Sequence, residues 1–190
     1  MSSAMSGYGR NPGRPRPTGW AAVLAVVGLL GAGLGGALAG ESALRLQSPA
    51  FGDGGAIPTR FACDGADVSP PLRWSGTPAG TRSLALIVDD PDAPGRVWVH
   101  WVVFNLPATV GGLAGEVSGA LPGAAREGRN SWGDAAYGGP CPPSGSHRYR
   151  FTLYALDTAL DLEAPDKAAL LAAMRGHVLD RVRLVGRYAK

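Results

Sequence analysis

Cysteine is scarce: the 190-residue sequence has two, Cys63 and Cys141. They stand too far apart for a CxxC redox or zinc motif. Two cysteines do not make a disulfide scaffold either, so the fold must rest on its hydrophobic core. Charge is scarce as well, at 17% of the chain. The excess of 18 basic over 15 acidic residues equals Arg10, Arg14 and Arg16, which lie in residues 1–39, a stretch without an acid. The remainder is formally neutral and has no electrostatic footprint for a phosphate backbone, which argues against nucleic acid as a partner. The G-x-S-x-G elbow of a serine hydrolase is missing. So are H-E-x-x-H and H-x-H spacings, which removes the usual sequence signs of a zinc site.

Long apolar runs are missing except one. "WAAVLAVVGLLGAGLGGALAG" (Trp20–Gly40) follows the arginine-containing stretch and carries Ala37-Leu38-Ala39. Basic n-region, apolar h-region and A-x-A site are the order of a secretory signal peptide. The alternative is an uncleaved anchor, since the run is near the roughly 20 residues that span a bilayer. Residues 1–39 are therefore expected to be a signal or membrane anchor, and residues 40–190 one folded domain that is secreted, periplasmic or in the cell envelope. Membrane contact is expected only through an uncleaved N-terminal segment. No cysteine stands directly after the apolar run, so a lipoprotein anchor is not expected.

Abundant instead are glycine, with 29 residues, and proline, with 16. They predict many turns and little helix. Short apolar runs alternate with the turn clusters. Strands are expected at Ser42–Ser48, Ser83–Asp89, "RVWVHWVVFNL" (Arg96–Leu106), His147–Asp157 and Val182–Tyr188, with short extended pieces around Phe61 and Leu72–Trp74. Gly115–Ser146 is long and rich in Gly and Pro, and loops of that length inside a domain are usually functional. One helix is expected, with Pro165 in its first turn, Leu170, Leu171 and Met174 at helical spacing, and Gly176 as its stop.

Period-two alternation assigns faces. Trp98, His100, Val102 and Phe104 are expected on one face of their strand, and Val97, Val99, Trp101 and Val103 on the other. His147, Tyr149, Phe151 and Leu153 share a face, with Arg148 and Arg150 opposite. Each polar residue singly has a structural explanation. A histidine on an apolar strand is commonly a hydrogen-bonded core residue. Asp90 and Asp92, in "DDPDAP" (Asp89–Pro94), can cap a stiff turn.

Taken together the pieces resemble the phosphatidylethanolamine-binding protein family, in its bacterial Raf kinase inhibitor-like branch. The resemblance lies in "CDGADVSPPLRWSG" (Cys63–Gly76), "DDPDAP", "WVHWVVFNLPA" (Trp98–Ala108), "GRNSWGDAAYGGPCPPSGSHRYRFTLYALD" (Gly128–Asp157) and "GHVLDRVRLVGRY" (Gly176–Tyr188). It implies a mainly β fold: an antiparallel β-sandwich with a large central sheet and a C-terminal helix. It also implies an anion pocket built from Asp90, Asp92, Trp98, His100, Gly138, Gly139, Pro142, Pro143, His147 and Tyr149. Imidazole N–H groups, the Tyr149 hydroxyl and backbone N–H groups of the glycine loop would donate to the anion. Carboxylates beside an anion require that Asp90 orient His100 by accepting from its other nitrogen, or that one carboxyl be protonated. Arg148, facing away by parity, would pair with a carboxylate such as Asp92. The family places both cysteine segments around this pocket, which implies a Cys63–Cys141 disulfide.

The expected function is binding of a small anion or phospholipid head group, with no cofactor, metal or catalytic chemistry. Inhibition of an extracytoplasmic protein partner comes second. A hydrolase using the His/Asp pocket comes third, with Cys141 its only thiol nucleophile.

Overall fold

The computed structural model describes residues 44–190; the apolar run at Trp20–Gly40 and the A-x-A site lie outside the described residues. Eight strands and one α-helix follow in chain order: β1 (Arg45–Gln47), β2 (Leu72–Ser75), β3 (Ser83–Asp90), β4 (Trp98–Pro107), β5 (Gly112–Leu113), β6 (Arg126–Gly128), β7 (Ser146–Leu156), α1 (Lys167–Ala173) and β8 (Val178–Ala189). They form two antiparallel sheets, one ordered β1-β2-β5 and the other β6-β4-β3-β7-β8. This is the β-sandwich with a large sheet and a C-terminal helix that the sequence implied.

Every residue of β3 is buried, as its unbroken apolar run demands of a central strand. One face of the large sheet packs Leu86, Val88, Trp101, Val103, Phe151 and Leu153 against Leu46, Leu72 and Trp74 of the small sheet. The other face packs Ala85, Ile87, Val102 and Phe104 under Leu170 of α1 and its C-cap residue Met174. Buried Asp89 ties these layers at one end: it accepts from Arg150 Nε at 2.6 Å and pairs with Lys167, the first residue of α1.

Three local expectations are corrected. Phe61 closes a 3-10 turn, Thr59–Phe61, rather than sitting in an extended piece. Pro165 stands just before the helix; Asp166 is its N-cap and accepts from the Ala169 N–H at 2.8 Å. The face assignment of β4 holds only as far as His100. Val88 pairs with Trp101 but the next residue, Asp89, pairs with Val99, so His100 is the extra residue of a β-bulge. Beyond it Trp101 and Val103 enter the inter-sheet core and Val102 and Phe104 the helix side, the reverse of strict alternation through the strand.

Candidate functional site

The site gathers where β3 and β4 meet the end of β7. A cavity of about 290 Å³ is walled by Asp90, Trp98, His100, Trp132, Cys141, Pro143 and His147, with Ala93 and Pro94 of the acidic turn completing it. His100 is its floor, 3% exposed, while Pro94, Trp132, Cys141 and Pro143 form an exposed rim. His100 therefore sits at the bottom of the cavity and not at its rim.

Each ring and carboxylate is fixed by a specific partner. Asp90 ends β3, and its Oδ1 accepts from the Asp92 N–H at 2.7 Å, which is the turn-capping role. Its Oδ2 accepts from His147 Nδ1 at 2.7 Å. Asp90 thus orients His147, not His100 as the sequence suggested. His100 Nδ1 instead donates to the Gly138 carbonyl at 2.8 Å. Burial pushes the His100 imidazole below its usual range, opposed by that carbonyl and by the charge of Asp90. His100 is therefore neutral near pH 7, with its proton on Nδ1 and a lone pair on Nε2. His100 also packs edge-on against Tyr149 and Trp132, with ring centroids at 5.1 and 5.2 Å.

Three expected residues, Asp92, Gly138 and Gly139, belong to the frame rather than the wall. Asp92 is held by Arg148 through Nε at 2.9 Å and Nη2 at 2.6 Å, and this guanidinium keeps its carboxyl well below the usual range. Arg148 does what its parity predicted. The Gly138 N–H donates to the His100 carbonyl and the Gly139 N–H to Asp67 Oδ1, so neither N–H is left for an anion. The glycines serve close approach instead. A Cβ at Gly138 would meet the Trp132 ring at 2.7 Å, and one at Gly139 would meet the Phe61 carbonyl oxygen at 2.3 Å.

Pro142 and Tyr149 are the remaining expected residues, and both are buried behind the wall. The Tyr149 hydroxyl reaches no well-formed hydrogen bond, with the Cys141 amide beside it, and burial pushes it up, so it stays protonated. Trp98 keeps its Nε1–H buried and unpaired within the wall. Pro143 and Trp98 line the cavity as expected. Cys63 and Cys141 form the implied disulfide, with Cα atoms 5.5 Å apart. Among the described residues no group of three His, Cys, Asp or Glu side chains is placed to hold a metal ion.

Trp132 is the wall residue that sequence reasoning did not single out. Its loop is organised by buried Asn130, whose Oδ1 accepts from the Trp132 and Asp134 N–H groups at 2.9 and 3.0 Å. The signal was present in "GRNSWGD": an asparagine before Ser and Gly is a residue that caps its own turn.

The family model described as phosphatidylethanolamine-binding protein matches residues 47–189. A UPF0098 protein of Methanothermobacter thermautotrophicus is 53% identical over 150 residues, which cover 77% of this chain and 99% of the relative. LppC of Mycobacterium tuberculosis, a candidate lipoprotein by its name, is 50% identical over 121 residues, covering 63% of this chain and 58% of the relative. A solved phosphatidylethanolamine-binding protein homolog of Chlamydia trachomatis superposes with a TM-score of 0.73 at 41% identity, covering 79% of this chain and 99% of that one. With the sandwich, the histidine strand and the glycine-proline loop all in place, the chain belongs to the phosphatidylethanolamine-binding protein family.

Proposed function

We propose that this is an exported protein whose histidine cavity binds a small anion, or the phosphate of a phospholipid head group, without catalysing a reaction on it. One observation carries the proposal: two imidazoles are locked through Nδ1, each leaving Nε2 without a well-formed hydrogen bond among the described residues, around one cavity of small-molecule size. The only carboxylate in the wall, Asp90, is already engaged by His147 and by the Asp92 N–H. The unpaired Trp98 N–H is a further donor in the wall. The wall offers no free thiol or hydroxyl nucleophile, because the Cys141 sulfur is in the disulfide. Export is supported by the disulfide, by the N-terminal apolar run and by the name of the mycobacterial relative.

Neutral His100 presents a lone pair, so a phosphate oxygen must arrive with a proton or draw one onto Nε2. Binding is then coupled to proton uptake and weakens as pH rises. The test uses substitutions that keep the Nδ1 role. Asn places an N–H near the Nδ1 position and removes Nε2, so His100→Asn and His147→Asn retain the bonds to Gly138 and Asp90. Charge-assisted hydrogen bonds contribute about 1.5–3 kcal/mol, so each variant should lose roughly ten- to a hundredfold affinity for inorganic phosphate. Thermal midpoints should change little. Calorimetric titration of the full chain decides it, and equal affinities for wild type and both variants would refute the proposal.

A further inference from the structure

Beside the histidine cavity lies a second and larger one, of about 580 Å³, on the other side of Trp132. Trp132 lines both. Trp132 is 48% exposed, so this aromatic is a partition between open spaces rather than a core residue. The ring is nonetheless well placed, edge-on to Trp98 at 5.3 Å and to His100 at 5.2 Å. The glycine at position 138 leaves it room, since any Cβ there would strike the ring.

The larger cavity has a distinct chemistry. Its floor is apolar, from Val97, Val99 and Leu171, and its charged lining is Arg96, Arg129, Lys167 and Asp166. Asp166 is engaged in capping α1, and Lys167 is engaged with Asp89. Arg96 and Arg129 have no ion pair among the described residues. The Arg96 guanidinium lies over the Trp98 ring, 4.7 Å from its centroid, and Trp98 belongs to the histidine cavity. A cation without an ion pair is therefore held at the boundary of the two spaces, and a second, Arg129, lines the larger one.

We propose that the site takes a ligand with two anionic groups, one in the histidine cavity and the second between Arg96 and Arg129, with a short spacer passing Trp132. The inference rests on the anion-binding reading above and adds its ligand class. Two unpaired guanidiniums complement a second phosphate or carboxylate and disfavour a cationic tail. The apolar floor and the indole suit a carbon spacer. The chemistry is shared by a soluble bisphosphate and by a lipid head group with two phosphates on a three-carbon bridge.

The experiment is calorimetric titration of the full chain near pH 7 with propane-1,3-diol bisphosphate, propyl phosphate and phosphoethanolamine. The bisphosphate should bind at least about tenfold more tightly than propyl phosphate, and phosphoethanolamine more weakly than either. Arg129→Gln should abolish most of the bisphosphate preference and leave propyl phosphate binding unchanged. A parallel arm measures retention on phosphatidylcholine vesicles with and without cardiolipin. Retention on cardiolipin assigns the ligand to lipid, and soluble binding without retention assigns it to a free metabolite; both support the proposal. Equal binding of bisphosphate and propyl phosphate overturns this inference alone. So does a preference that survives Arg96→Gln with Arg129→Gln, or competition by an acidic peptide without any bisphosphate preference. Failure of every phosphate compound to bind overturns the underlying reading as well.

Discussion

At the residue scale the site is a pair of histidines whose surroundings differ. His147 reaches a carboxylate and His100 a carbonyl, so the same side chain is set for two roles by one hydrogen bond each. The position of His100 has a consequence for stability. Burial holds its imidazole below the usual range, so the folded protein resists a proton that the unfolded chain accepts readily. As pH falls through about 6.5, the unfolded state binds more protons than the folded one, and stability declines. The contribution is fully present above that pH. It is lost on acidification at up to about 1.4 kcal/mol per pH unit, until the folded imidazole itself titrates. Urea denaturation at several pH values between 7 and 5 should show a shallower dependence for His100→Asn than for wild type. Parallel curves would mean that the His100 imidazole takes up its proton equally readily in the folded and unfolded states.

At the scale of elements, what could be read in the sequence is what burial writes into it. The strands at Ser83, Trp98 and Ser146 and the helix at Lys167 carry long apolar or periodic patterns, and all were legible. The strands β5 and β6 have two and three residues, too few to show any period. The first residues of β8 were missed because Val178 and Leu179 are exposed; Val178 pairs with Leu156 of β7, and Leu179 falls in the register shift beside it. The bulge at His100 was invisible because alternation assumes an unbroken ladder. That same bulge explains the mixed outcome at the site. Parity placed Trp98 with His100 and His147 with Tyr149, but could not say which histidine Asp90 would reach.

The glycine-proline loop was legible as an element, and its disulfide came through the family resemblance. Cys141 pins the loop to the segment that carries Cys63, and the Cys63 N–H donates to the Pro140 carbonyl at 3.1 Å. The loop supplies the Gly138 carbonyl that fixes His100 and the Pro143 edge of the cavity. Reducing the bond should lower stability by roughly 2–5 kcal/mol, mainly by freeing the unfolded chain. It should also weaken phosphate binding, because the loop that orients His100 loses its tether. Denaturant midpoints and phosphate titrations of Cys63→Ser with Cys141→Ser measure both. Unchanged binding in that variant would show that Asp67 and Tyr137, which hold the loop through Gly139 and the Phe61 carbonyl, suffice alone.

On the scale of the whole molecule, the start of the sandwich limits where a signal can be removed. Leu44 is 1% exposed and belongs to the inter-sheet core, and its N–H donates to Asp180 at 3.3 Å. Cleavage after Ala39 would leave this residue and β1 intact, whereas cleavage past Leu44 would remove a core side chain and its bond to β8. The A-x-A site and the sandwich are thus compatible, with a short margin between them. Neither Cys63 nor Cys141 is available for attachment of lipid, since both are in the disulfide. The expected mature form begins near Gly40, keeps Leu44 and carries an oxidised Cys63–Cys141 bond. Intact-mass measurement on the secreted and envelope fractions, after alkylation under non-reducing conditions, reads the terminus and the disulfide together. A cytosolic species that keeps Met1 and takes up two alkyl groups would overturn export, because the disulfide and the leader are both expected of the same oxidising compartment.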